Sequence, residues 1–240
     1  GGPPTPARGR AFRVQGGTMA RRLGRAKRKI HGANLPFRIP PADVLPERID
    51  SVLAVVYLIF NEGYAVTDGE SWTRGDLCEE AIRLGAILTR LLPETPEVRG
   101  VYSLMLLHDA RREGRLDAHG DLVVLEHQDR SRWESAKTAA GITALTAAVQ
   151  MQALGPYQVQ AAISAEHAIA PSWEQTRWDR VLDLYDRLLE LVPPPMVALN
   201  RCVPLALTGQ DDPAPEQPAQ PDPNLRPHYT TPLVPSRRRA

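Results

Sequence analysis

Proline limits this chain more than any other residue. Its ring removes a backbone N–H and clashes with the preceding turn, so a helix interior accepts it only at a cost of about 3 kcal/mol. Six prolines fall in residues 1–42, five in residues 43–192 and twelve in residues 193–240. The long middle stretch can therefore run as helices, and it reads as the folded body between two proline-rich flanks. The five middle prolines (Pro46, Pro93, Pro96, Pro156 and Pro171) stand where helices start or stop rather than inside apolar periods.

Read with a period of 3.6, the middle predicts consecutive helices. IDSVLAVVYLIFNEG follows Pro46, and its apolar residues Ile49, Val52, Leu53, Val55, Val56, Ile59 and Phe60 cover most of the circumference. That helix is expected to be buried on several sides. Asp76–Leu92 is amphipathic and stops at Pro93. Pro96 opens EVRGVYSLMLLHDARREGR, with its acids early and its arginines late, as the helix dipole prefers. Lys137–Leu154, Pro156–Ala170 and Trp173–Val192 follow, and MVALNRCVPLAL begins a seventh helix that Pro204 interrupts. Only Leu122–Leu125 resembles a strand. The expected fold class is all-α, with short connections placing neighbouring helices antiparallel. From Pro213 the chain reads PAPEQPAQPDPNLRP, too poor in large apolar residues to offset its ordering entropy, so a disordered tail is expected.

Charge is segregated. Residues 1–42 hold ten Arg and Lys and no acid, which leaves 19 basic against 28 acidic residues, net −9, in the remainder. A basic arm on an acidic body points to a polyanion partner at one end. Cys78 and Cys202 match no metal or redox spacing, and the longest apolar run, Val52–Phe60, is too short to span a membrane. A reducing, cytoplasmic setting without membrane partners is expected.

The cations concentrate in TMARRLGRAKRKI. Met19, Leu23, Ala26 and Ile30 make one narrow apolar stripe on a helix. Arg21, Arg25 and Arg28 lie opposite, flanked by Arg22, Lys27 and Lys29, and Thr18 is a suitable N-cap. The residues alone leave open a solvated basic face, a membrane-surface helix and nucleic-acid binding. The last is favoured because six cations in twelve residues can neutralise several phosphates. Phe12 and Val14 before the Gly16-Gly17 turn make this segment read as the second half of a helix-turn-helix.

The body carries no Ser–His–Asp spacing, phosphate loop or dinucleotide fingerprint, so no enzyme activity, no cofactor and no metal site are expected. Asp117–Asp121 reads as a polar turn rather than a metal site. His108 and Asp109 read as a solvated cluster at a helix end, since adjacent residues do not face each other on a helix. Gln128, Asp129, Arg130, Arg132 and Trp133 are dense in polar groups beside an aromatic. They read as a hydrogen-bonded corner in which Asp129 holds an arginine, or as a candidate partner- or ligand-binding loop. Tyr157, Gln158, Gln160 and Glu166 are expected to cap and cross-link helices, and Trp173, Trp178 and Tyr185 to pack within the last long helix.

TMARRLGRAKRKI, LPFRIPPADVLPERIDSVLAVVYLIFNEGY, DLCEEAIRL, LMLLHDARR, LEHQDRSRW, GPYQVQAAISAEHA and MVALNRCV, in that order, resemble extracytoplasmic-function sigma factors of the sigma-70 family that carry a long C-terminal helical extension. The resemblance implies a chain lacking sigma region two and divergent after about residue 203. It divides the chain into a partial region-four helix-turn-helix (1–33), a Pro-rich linker (34–45), a helical extension (46–207) and a disordered tail (208–240). It also implies that Thr18, Arg21, Arg22, Arg25, Lys27, Arg28 and Lys29 contact promoter DNA at the −35 element. RNA polymerase core, in the intact protein, would be a partner. The extension would regulate through its own sigma regions or another protein.

Overall fold

The structure, a computed structural model, describes residues 45–64, 72–119, 121–192 and 195–209. The expected helix-turn-helix with its basic residues Thr18–Ile30, the linker up to residue 44 and the tail beyond residue 209 lie outside the described residues. Among the described residues the chain is all-helical, with seven α-helices: α1 (Leu45–Tyr64), α2 (Trp72–Leu91), α3 (Pro96–Ala110), α4 (Ser135–Val149), α5 (Pro156–Ile169), α6 (Trp178–Leu191) and α7 (Pro195–Thr208). The sequence-predicted strand is reduced to one isolated antiparallel bridge between Leu116 and Leu122, because Leu125–His127 turns into a 3₁₀ helix. The chain divides between Ala81 and Ile82 into two compact units.

In the first unit, Leu53, Ala54, Val56, Tyr57, Phe60 and Tyr64 form the buried face of α1. Tyr57, Phe60 and Tyr64 stack in succession with centroids 6.2 and 5.3 Å apart. The Cys78 thiol donates to the Phe60 carbonyl at 3.6 Å. The expectation of burial on several sides is corrected here: Val52 and Val55 stand 45% and 51% exposed, so α1 buries one stripe and leaves these two residues out.

In the second unit, α3 is the central helix, with eleven of its fifteen residues buried. It packs most extensively against α4 and then α5. The α3–α4 approach is close because α4 is rich in small residues. A Cβ at Gly141 would stand 2.8 Å from Leu107 Cγ, and Ser103 Oγ donates to the Gly141 carbonyl at 2.7 Å. A second core joins α5, α6 and α7 through Val159, Ile163, Val181, Tyr185, Leu188, Val192 and Val197. Each such side chain removed from water contributes roughly 1.5–3 kcal/mol before entropic costs.

Several predicted boundaries move. The sequence between α4 and α5 leaves the helix at Val149, and Gln152 takes a positive φ of 56° in the turn. Trp173 lies in a turn closed by Thr176 N–H to the Trp173 carbonyl, so α6 begins only at Trp178. Pro204 does not end α7, which runs through it to Thr208. The Thr208 hydroxyl then donates to the Pro204 and Leu205 carbonyls at 3.0 Å each.

Candidate functional site

The polar groups of the second unit gather at the two ends of α5. At its N-terminus, helix N–H groups need acceptors that the helix cannot supply. Glu97, from the first turn of α3, supplies them across 60 residues of sequence: Tyr157 N–H reaches Oε2 at 2.9 Å and Gln158 N–H reaches Oε1 at 3.0 Å. The Gln158 side-chain amide adds a third donor at 3.2 Å. Gly155 makes room for this carboxylate, because a Cβ there would collide with it.

At the C-terminus of α5 the charges reverse. Arg130 Nη1 donates to the His167 carbonyl and, at 2.9 Å, to the Ala170 carbonyl. Its guanidinium lies 4.7 Å from the centroid of the Trp133 ring. Burial pulls the Arg130 pKa below its ordinary range, the Arg111 charge adds to this, and Glu174 opposes it. Two buried histidines stand beside this cap. His108, on α3, meets Ser164 on α5 with Nε2 and Oγ 3.0 Å apart. The Ser164 hydroxyl is already donated to the Gln160 carbonyl at 3.0 Å, so it accepts from His108 Nε2–H. His167 stacks on Trp173 at 6.2 Å and meets the edge of Trp178 at 5.4 Å. Burial, then the positive charges of Arg111 and Arg130, pulls the His167 pKa down to about 3. Burial, then Arg111 and Arg115, holds His108 well below its ordinary range, so both rings are neutral.

The nearby carboxylates are committed elsewhere. Asp109, 2% exposed, receives Arg112 Nε at 2.7 Å and Lys137 Nζ at 2.8 Å. Burial works against the Lys137 charge, but its hydrogen bonds to Asp109 and Glu134 outweigh that and hold the ammonium above its ordinary range. Buried Glu166 takes Arg177 at 2.8 and 2.9 Å and Arg180 at 2.9 Å, fastening the turn and the start of α6 to α5. Arg111 makes no ion pair among the described residues. It lines a recess with Leu107, Trp133, Ser164, His167 and Ala168 that has room for about one water molecule.

The candidate loop residues are placed as follows. Buried Gln128 donates to the Val123 carbonyl at 2.9 Å, and exposed Arg132 reaches the Leu116 carbonyl at 3.3 Å. Asp129 does not hold an arginine as expected. Its Oδ1 accepts from the Ser131 N–H at 2.9 Å and hydroxyl at 2.7 Å, which closes the 3₁₀ turn Arg130–Arg132 and lowers its own pKa. Trp133 is half-buried against Gly114. Asp117 Oδ1 accepts from His119 N–H and Asp121 N–H at 2.8 and 2.9 Å, an Asx turn, and no group of three or more His, Cys, Asp or Glu among the described residues is arranged for a metal. His108 and Asp109 are buried rather than solvated, because α3 is enclosed on nearly every side. They turn to different partners, as their adjacency on a helix requires. Sequence reasoning missed the convergence of Arg111, Ser164 and His167. The available signal was a pair of polar residues, Ser164 and His167, three apart on an otherwise small or apolar helix face.

Residues 48–149 match a family of unknown function, DUF6596. An uncharacterized protein of Rhizobium meliloti (strain 1021) is 43% identical over 194 residues, which cover 81% of this chain and 46% of that protein. The chain thus spans about half the length of the curated relative it matches. No solved structure matches. These findings correct the resemblance to extracytoplasmic-function sigma factors: the matched family is one of unknown function and the relative is uncharacterized, so neither match carries the chain into that family. Among the described residues no helix is long and apolar enough to cross a membrane.

Proposed function

We propose that this chain is a non-catalytic regulatory protein of the cytoplasm that binds DNA through the basic segment Thr18–Lys29 and a protein partner through its helical body. The observation that carries this reading is the segregation of charge: ten cations and no acid in residues 1–42, against a net −9 in the rest. Such a chain is drawn to a polyanion by one end while its body is repelled, which orients the body for a second contact. Arg21, Arg22 and Arg25 stand near the start of the segment, where base edges and phosphates are reached. Lys27, Arg28 and Lys29 serve as phosphate contacts. Duplex-DNA binding measured against salt tests it. The logarithm of affinity should fall with the logarithm of salt at roughly −0.9 per phosphate contact, and changing Arg21, Arg22 and Arg25 together to Ala should flatten that slope. Salt-independent binding, or an unchanged slope in the triple variant, rejects the DNA role.

A second reading, in which the body is an interaction module with no DNA binding of its own, draws support from the family match. That match covers residues 48–149 and excludes the basic segment. A full chain that captures a protein partner but shows no binding to duplex DNA supports it.

A further inference from the structure

We propose that the recess between α3, the Arg130–Trp133 turn and α5 is a binding site for a carboxylate group. The lining residues are Leu107, Arg111, Trp133, Ser164, His167 and Ala168, all in the second unit. This site is independent of the DNA reading and uses none of its residues.

Three observations agree on the sign of the occupant. The first is the fate of the neighbouring charges. Asp109 is occupied by Arg112 and Lys137, and Glu166 by Arg177 and Arg180. Glu174 is held chiefly by a hydrogen bond from the Ser172 side chain. Arg111, on the wall of the recess, has no carboxylate of its own among the described residues. The second is the ring of the lining residue His167, whose buried Nδ1 has no hydrogen-bond partner among the described residues. Neutral histidine donates from Nδ1 in one of its two tautomers, the one that an anion beside Arg111 would favour. Beside the Arg111 charge, the group it lacks is an acceptor. A buried donor left unmatched is unfavourable, and an anionic oxygen offers the strongest match. The third is that Ser164 cannot compete for the role of donor, because its hydroxyl proton is held by the Gln160 carbonyl and its oxygen receives His108.

Size chooses among anions. A recess with room for about one water admits a single oxygen of an anion, and a planar carboxylate leaves less bulk to accommodate outside it than a tetrahedral phosphate does. In the bound state the Arg111 guanidinium faces the carboxylate and His167 Nδ1–H, 4% exposed, donates to it. The carboxylate can come from a free small acid or from an acidic side chain of a peptide, and the chemistry at the recess is the same.

The test titrates the full chain with sodium formate at pH 7, with sodium chloride as the matched control. It follows the side-chain nitrogen signals of His167 and the indole signal of Trp133 by NMR. The expected result is a saturable shift of both signals with a dissociation constant no tighter than about 1 mM, the ceiling for a three-atom ligand. The His167 titration midpoint should also rise when formate is bound, because an adjacent anion favours the protonated ring. Arg111→Gln should abolish the shift. Arg111→Lys, which keeps the charge and the fold but loses the fork, should weaken it at least about 10-fold. Acetate and N-acetylglutamic acid α-amide, whose only carboxylate is its side chain, form the two source arms: saturation by either at a formate-competitive site supports the proposal, and the tighter of the two tells the free acid from the acidic side chain. An equal response to chloride, a response unchanged in both Arg111 variants, or no saturable shift with formate would overturn it.

Discussion

The two ends of α5 are held by opposite charges in opposite states of completion. At the N-terminal end the donors are met: one Glu97 carboxylate accepts two backbone N–H groups and one side-chain amide, all within 3.2 Å, and a buried atom left without a partner among the described residues is an acceptor, Gln158 Oε1. The C-terminal end is open: Arg130 caps two carbonyls, yet its Nη2, His167 Nδ1 and Trp133 Nε1 stay unmatched, and Arg111 stands beside them without a counter-charge among the described residues. Acid at the start and base at the end both suit the helix dipole. The difference is that the first end spends its hydrogen-bond donors on the fold, whereas the second keeps some in reserve. Stability should therefore be concentrated at the first end and ligand- or proton-sensitivity at the second.

The strongest challenge to this contrast is Glu97→Ala. It leaves the Tyr157 and Gln158 N–H groups without acceptors, and a charged hydrogen-bond acceptor is lost at a helix N-terminus. Urea unfolding should show a loss of about 3 kcal/mol. Glu97→Gln, which keeps one carbonyl oxygen, should lose about half as much. A loss under about 0.5 kcal/mol for Glu97→Ala would mean that the closed end does not hold the fold as argued.

Acid should expose the open end. His167 has a folded pKa of about 3 against an ordinary 6.5, so the unfolded chain binds more protons between those values. Its contribution to stability is complete above pH 6.5, falls as pH falls, and levels off below about pH 3. At pH 5 this histidine alone should account for about 2 kcal/mol of lost stability relative to pH 8. His108, depressed by the same burial, adds in the same direction. His167→Gln should remove a measurable part of the slope of unfolding free energy between pH 7 and pH 5. An unchanged slope in that variant would contradict a neutral, buried His167.

How much of this was legible in the sequence differs between fold and site. Proline placement and the 3.6 period are local, and they yielded the all-helical class and each of the helices, with Pro96 and Pro156 at the first positions of α3 and α5. Boundaries set by turns rather than periodicity were missed: the Trp173–Arg177 turn is tied down by Glu166 from α5, a contact no local pattern announces. The Arg130–Trp133 turn was visible as a dense polar stretch, but its partners were not. Arg130 reaches carbonyls 37 and 40 residues away, and His108 meets Ser164 at a separation of 56. Asp129 misled for a physical reason. A short carboxylate beside a serine bonds its own backbone two residues on more readily than it reaches across to an arginine. Glu97 was read as an early acid favourable to its own helix, whereas its oxygens serve the start of another.

The finest test separates charge from shape at the open end. Arg130→Lys preserves a cation near the last turn of α5, so the dipole interaction survives. A lysine ammonium cannot span both the His167 and Ala170 carbonyls as the planar guanidinium does, and it stacks less well on the Trp133 ring 4.7 Å away. The expected loss is about 1 kcal/mol by urea unfolding. Its location matters more than its size. Amide exchange should quicken in the last turn of α5, at Ala165 to Ile169, while the first turn, held by Glu97, keeps its protection. Equal quickening at both ends would show that α5 opens as one unit, and that its two caps differ in charge alone and not in what they leave available for a ligand.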